Sequence, residues 1–339
     1  MVHQNKIIGE GFTSPYGGNH AEVNAINSVK DKSLLEESTI YVTLEPCAHF
    51  GKTPPCADLI VKHQIKNVVI GCVDTNSLVA GKGIERLKKA GINVVVGVLE
   101  EECLEHHKRF FTVQNKKRPY IILKWAETKD GFVYPELDSG SVQREMLKQV
   151  QHREPVWITN KYSQQLVHKW RSEEQAILVG TNTVIADNPK LNVRSWKGEN
   201  PIRIVLDRSL RIPDDVSVFD GSVKTIVLTE TRNKKQETRQ NKLSHCEQSE
   251  AISYEEINFS KNVAKQICDV LQEHKIQSVI IEGGTQTLQT FIDENLWDEA
   301  RVFIGDVEFG KGVKSPIFNA RILSEEKIKN DILRRYIND

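Results

Sequence analysis

Four residues spread along the first sixth of the chain have to meet at one point, and that requirement limits the folds open to it. They are His20, Glu22, Cys47 and Cys56: a His-x-Glu pair, then Pro-Cys with a second cysteine nine positions on. They read as three metal ligands and one proton-transfer carboxylate. Residues two apart on a helix face nearly opposite directions, so His20 and Glu22 converge only where a helix begins. Gly17, Gly18 and Asn19 supply that boundary. Glu45-Pro46-Cys47 closes the apolar run Thr39 to Leu44, while Thr53, Pro54 and Pro55 read as a cap and first turn. Cys56 is thereby expected at a helix N-terminus, where partial positive charge favours thiolate. The competing reading makes both cysteines small buried apolar residues and His20 a capping side chain. It suits any one of the four alone and not the set.

A structural zinc is normally closed by four protein ligands, whereas three leave a position for water whose pKa the metal lowers. His-x-Glu with Pro-Cys is the signature of zinc deaminases, in which the glutamate passes the water's proton to departing ammonia without binding the metal. Glu22 suits that role. His20, Cys47 and Cys56 are the expected ligands of one zinc per chain.

The 339 residues favour two domains, since single cores rarely grow past roughly 250 to 300 residues. Forty-six basic and 46 acidic residues cancel, so no global field draws the chain to nucleic acid or an anionic membrane, and a small-molecule substrate is expected. Six cysteines without scaffold spacing, two of them needed as thiolates, fit a reducing cytoplasm. No signal-peptide core or membrane-length apolar run is present. An assembly of identical subunits is left open.

Up to about residue 114, strand runs at Ile7 to Ile8, Thr39 to Leu44, Val68 to Val73 and Val94 to Leu99 alternate with helix-like segments. Those segments begin near His20, Pro54, Gly83 and Glu100. The alternation predicts a mostly parallel sheet covered by helices, with ligands at the carboxyl ends of its strands. There the zinc site can share a crevice with the loop Asp74 to Gly83. The polar, Pro-terminated Gln114 to Pro119 predicts a boundary, giving domains 1–115 and 116–339. The second half starts with a strand at Tyr120 to Trp125. It carries further strand signals at Ala176 to Val179, Arg203 to Leu206, Thr225 to Leu228, Ser278 to Ile281 and Arg301 to Ile304. Helical periodicity runs over Ser163 to Arg171 and Ser260 to Gln272, again an α/β pattern. Thr231 to Glu250, polar and without periodicity, reads as a surface loop.

Glu282-Gly283-Gly284-Thr285 lies between a strand and a helix-like Leu288 to Ile292. Such a turn can cradle a phosphate with its backbone, or it can be an ordinary strand-to-helix connection. Lys124 and Asp130 flank a strand end. Arg171, Asp187 and Arg194 lie in separate segments, and surface charge is their default reading.

Together these residues resemble the bifunctional riboflavin-biosynthesis deaminase-reductases, over nearly the whole chain and in order. The first half is similar to their pyrimidine deaminase through His20-Ala21-Glu22, the run Thr43 to Cys56, and the Asp74 to Gly83 loop. Cytidine and tRNA-adenosine deaminases hold their cysteines two residues apart, and the eight residues between Cys47 and Cys56 are typical of the riboflavin branch. The resemblance implies a cytidine-deaminase-like three-layer domain followed by a dihydrofolate-reductase-like α/β domain that uses NADPH. It implies that Lys52, Thr53, Asp74 and Asn76 bind the deaminase substrate, and that Lys124 and Glu282 act in the reductase. Arg171, Leu191 and Arg194 would bind its substrate. Trp157, Thr183, Asp187 and the run Gly284, Thr285, Gln286, Thr287, Leu288, Gln289, Thr290 would face the cofactor.

Two departures stand out. The family's leading helix and Pro-Asn-Pro segment have no counterpart before Met1-Val2, so an asparagine expected at the pyrimidine is missing; a truncated start or a weakened first half is expected. A serine usual before the tryptophan is Pro155 here, after a polar insertion at Tyr134 to Arg153. Two other readings stay open: a nucleotide deaminase with an unrelated C-terminal module, and a reductase whose zinc domain is only a scaffold.

Overall fold

The computed structural model describes residues 1–15, 17–51, 53–75, 80–135, 157–230 and 251–338. The chain divides into two compact units, Met1–Lys117 and Arg118–Asp339.

The first unit is built on a five-stranded sheet of β1 (Val2–His3), β2 (Lys6–Ile7), β3 (Thr39–Leu44), β4 (Asn67–Cys72) and β5 (Asn93–Val96), in the order β2-β1-β3-β4-β5. β3, β4 and β5 run parallel, as the alternation predicts, and β1 joins β3 antiparallel. Helices α1 (Ala21–Ser28), α2 (Cys56–Lys62) and α3 (Lys82–Lys89) bury Ile26, Ile60 and Leu87 against Ile40, Val68 and Ile70 on one face. Helix α4 (Glu100–Lys116) covers the other, where Gly71 leaves room for Cys103: a Cβ there would lie 2.2 Å from its sulfur. The expected strand Val94 to Leu99 stops at Val96, because Gly97 at φ +87° and Leu99 at φ +53° turn the chain into α4. The polar Gln114 to Lys116, expected in the linker, forms the last turn of that helix.

The second unit has a nine-stranded sheet in the order β11-β10-β9-β8-β12-β6-β13-β16-β15. Its strands are β6 (Tyr120–Thr128), β8 (Ala176–Gly180), β9 (Ile202–Leu206), β10 (Thr225–Thr229), β11 (Ile252–Glu256), β12 (Ser278–Glu282), β13 (Glu299–Gly305), β15 (Arg321–Ile328) and β16 (Asp331–Ile337). The strands from β11 to β13 are parallel, and β8, β10 and β12 are buried along their whole length, as apolar interior strands covered on both faces must be. α5 (Lys161–Glu173) and α6 (Thr181–Asp187) pack on one face through Val167, Trp170 and Val184; α7 (Val263–Glu273) and α8 (Thr285–Asp293) pack on the other through Ile267, Leu271 and Phe291. β15 and β16, unseen in the sequence, pair antiparallel on β13 and close the edge. β15 is exposed and charged on both sides, which hides its period but suits a sheet edge. A small ribbon of β7 (Phe132–Pro135) and β14 (Gly312–Lys314) completes the unit. The loop expected at Thr231 to Glu250, most of the insertion at Tyr134 to Arg153, and Pro155 lie outside the described residues. Among the described residues no helix is long and apolar enough to cross a membrane.

Candidate active sites

His20 is the residue just before α1, with extended backbone (φ −73°, ψ 164°), and Glu22 lies in the helix's first turn. This break in helical geometry lets the two side chains converge, as the spacing requires. Cys47 follows the end of β3, and Cys56 opens α2. The expected cap at Thr53 does not form: Pro55 precedes the helix without a capping side chain. Instead the Cys56 N–H donates to the Cys47 sulfur (3.3 Å) and the Ala57 N–H to the Cys47 carbonyl (3.1 Å), so the helix start is capped by the other ligand-bearing segment.

Ligand atoms of His20, Cys47 and Cys56 lie within 4.8 Å of one another. The His20 Nδ1 stands 3.6 Å from Cys47 Sγ and 3.4 Å from Cys56 Sγ. A tetrahedral zinc with bonds of about 2.3 Å to sulfur and about 2.0 Å to nitrogen sets such atoms about 3.5 Å apart, so the three residues fit the ion. A hydrogen bond from Cys56 holds the Cys47 thiol down at about 4, and sharing that proton pushes Cys56 the opposite way. A dication bound by the three residues would hold both as thiolates. Burial drives the Glu22 carboxyl above its ordinary range, with Cys47 adding to it, while a backbone hydrogen bond and His20 pull the other way. Thr53 is half-buried and Asp74 buried; Lys52 and Asn76 lie outside the described residues.

In the second unit Glu282, at the end of β12, stands opposite Lys124 of β6 in the parallel register. Arg171 of α5 grips the Glu282 carboxylate with two hydrogen bonds, from Nε (3.1 Å) and Nη2 (2.8 Å). Lys124 Nζ lies 3.7 Å from the same carboxylate. Burial alone would raise the Glu282 pKa, but Arg171 and Lys124 outweigh it and hold the group at about 2. Lys124 is pushed below the usual ammonium range, first by burial, although Glu282 opposes this. Arg171 also donates to the Asn192 carbonyl (3.4 Å), while Arg194 places a guanidinium nitrogen 2.8 Å from Asn192 Oδ1. The structure therefore brings Lys124, Glu282, Arg171 and the Leu191 to Arg194 segment together. His168 was missed: its buried Nδ1 accepts the Arg194 backbone N–H (3.3 Å). Its spacing three residues before Arg171, on one helix face, was the available signal.

Two adjacent strand-to-helix turns, after β8 and after β12, interlock beside this group. The Thr183 hydroxyl of α6 accepts the Gly284 N–H (2.9 Å) and occupies the space a Cβ on Gly283 would need, 2.8 Å away. Thr287 of α8 likewise fills the space beside Gly180, its hydroxyl oxygen 2.6 Å from where a Cβ would stand. Gly283, at φ +128°, and Gly284 lead into α8 with no capping side chain, leaving a Gly-rich, positively polarised helix start that fits a cofactor's phosphates. The rest of the expected run makes contacts within the unit. Leu288 is in the core, Thr285 and Gln289 bond the 314–317 segment, and Thr290 bonds its own helix. Asp187 ends α6, and Trp157 is exposed just before Ile158, whose carbonyl lies against Gly305. Asp130 is a turn residue, accepting the Phe309 and Gly310 N–H groups. Gly283→Ala is expected to cost about 1–3 kcal/mol through backbone strain and the clash with Thr183, read as a lower urea midpoint.

Residues 1–72 match the cytidine and deoxycytidylate deaminase zinc-binding region, and residues 119–338 match the RibD C-terminal domain. The riboflavin biosynthesis protein RibD of Aquifex aeolicus is 39% identical over 327 residues, covering 96% of this chain and 84% of that protein. The crystal structure of the Thermotoga maritima diaminohydroxyphosphoribosylaminopyrimidine deaminase/5-amino-6-(5-phosphoribosylamino)uracil reductase superposes with a TM-score of 0.82 at 34% identity, covering 100% of this chain and 90% of that one. Acinetobacter baumannii RibD gives 0.79 at 32% identity, with the same coverage. Its two matched regions and its likeness to these proteins along nearly their whole length place the chain in the RibD family of bifunctional riboflavin biosynthesis proteins.

Proposed function

We propose that the first unit deaminates 2,5-diamino-6-(5-phosphoribosylamino)pyrimidin-4-one and that the second reduces the ribosyl group of the product to ribityl with NADPH. The observation that carries this is the meeting of His20, Cys47 and Cys56 at tetrahedral spacing with a buried carboxylate, Glu22, beside them. Zinc, when bound by those three, supplies the Lewis acidity that makes a water nucleophilic near neutral pH. Glu22 takes the proton of the attacking water and delivers it to the amino group that leaves as ammonia, while the ring carbon keeps the oxygen. Thr53 and Asp74, with Lys52 and Asn76, hold the substrate.

NADPH, when bound along Thr183, Asp187, Trp157 and the Gly284 to Thr290 stretch, supplies a hydride to the sugar's C1 in its open imine form. Lys124, whose ammonium is made more acidic by burial, orients that centre or gives its proton to the imine nitrogen as the hydride reaches C1. Glu282, fixed by Arg171, orients it, and Arg171, Leu191 and Arg194 hold the substrate. The balanced net charge supports a small-molecule partner over nucleic acid, and the free cysteines support a cytoplasmic site of action.

Zinc content, ammonia release and NADPH oxidation measured separately test the two halves. One zinc per chain is expected, with ammonia release lost to a chelator and NADPH oxidation on the deaminated substrate retained. Ammonia from cytidine derivatives without NADPH oxidation would overturn the reading.

A further inference from the structure

Glu45 is buried, 3% exposed, one residue past β3, where its own N–H extends the ladder to the Cys72 carbonyl (3.0 Å). Among the described residues its carboxylate accepts four backbone N–H groups. Oε2 takes those of Asp74 (3.4 Å) and Gly81 (2.9 Å), and Oε1 those of Gly83 (2.8 Å) and Ile84 (3.2 Å). One oxygen thus ties Asp74 to Gly81, and the other supplies the cap that α3 lacks from its own Gly81, at the end of the helix where a negative charge is favoured. The approach is close enough that Gly83 has no room for a side chain: a Cβ would stand 1.9 Å from the Pro46 carbonyl oxygen. Two residues after Glu45 comes the ligand Cys47, so one short segment carries a metal ligand and this fourfold clasp.

We infer that Glu45 is a positioning residue: it fixes Asp74 and the start of α3 against the segment bearing Cys47, and so sets how tightly the first unit holds its pyrimidine substrate rather than how it holds zinc. This rests on the deaminase reading of that unit. A glutamine has the same shape but one acceptor oxygen, and its NH2 would face two N–H donors, so one pair of bonds must be given up.

Glu45→Gln is expected to raise the KM for the deaminase substrate about tenfold, with kcat changed less. Zinc per chain, the visible spectrum of the cobalt-substituted protein and NADPH oxidation are expected to match the unsubstituted chain. Glu45→Asp, which keeps the charge but shortens the reach, is expected to fall between the two. An unchanged KM, or loss of zinc in step with activity, would overturn the inference. Should the variant fail to fold, hydrogen exchange of the unsubstituted chain carries the test: the amides of residues 74, 81, 83 and 84 are expected to be protected, and rapid exchange at these positions would overturn it. A zinc-loaded, unsubstituted chain that releases no ammonia sinks the deaminase reading instead, so the two failures are distinguishable.

Discussion

Glu22→Gln is expected to lower ammonia release by roughly 100- to 10,000-fold, the usual weight of a positioned proton-transfer group. Zinc content is expected to stay at one per chain, because the proposed ligand atoms belong to His20, Cys47 and Cys56. The amide has the volume of the acid but cannot accept the water's proton and return it to the leaving nitrogen. NADPH oxidation on the deaminated substrate is expected to be unaffected, since Lys124, Arg171 and Glu282 lie in the other unit. Unchanged ammonia release would reduce the zinc unit to a scaffold for the reductase. Loss of zinc would show Glu22 to be part of the metal's grip.

Arg171→Leu is expected to be the most damaging change in the second unit, costing about 3–5 kcal/mol of its stability and abolishing NADPH oxidation. The variant leaves a buried carboxylate whose nearest remaining cation is Lys124, 3.7 Å away. The sign of the pH dependence follows from Glu282. Its folded value of about 2 lies below the ordinary value of about 4.3, so its ionisation contributes stability that is complete above pH 4.3 and lost as the pH falls toward 2. Arg171→Leu removes the main attraction that depresses that value. The stability gap between the two proteins is therefore expected to be widest at neutral pH and to narrow on acidification through that window. Urea unfolding at several pH values measures it, and a gap that stays constant with pH would refute the assignment.

The elements that position both sites were readable because they are apolar runs with one end carrying chemistry. Thr39 to Leu44 ending in Glu45-Pro46-Cys47, and Ser278 to Ile281 ending in Glu282-Gly283-Gly284, both became strands that deliver those residues to a helix start. The family resemblance supplied what periodicity could not: the gathering of Arg171, Arg194 and Glu282, which are far apart in sequence and look like solvated charges. Other features left no trace in composition. The β15–β16 hairpin is too charged to show a period. Glu45 reads as one more glutamate, since its partners are backbone N–H groups 29 to 39 residues away. The Thr183–Gly283 and Thr287–Gly180 contacts are complementarities of volume between two turns.

The double tie between Cys47 and the start of α2 makes the peptide bridging the two cysteines mechanically idle with respect to the ligands. Residues 48–55 leave from a fixed point and return to one. Because loop closure costs only slightly more as a connection lengthens, inserting or deleting a few residues between the cysteines is expected to leave the sulfurs in place. The distance between the two sulfurs is therefore set by their own tie and not by the number of residues that separate them in sequence.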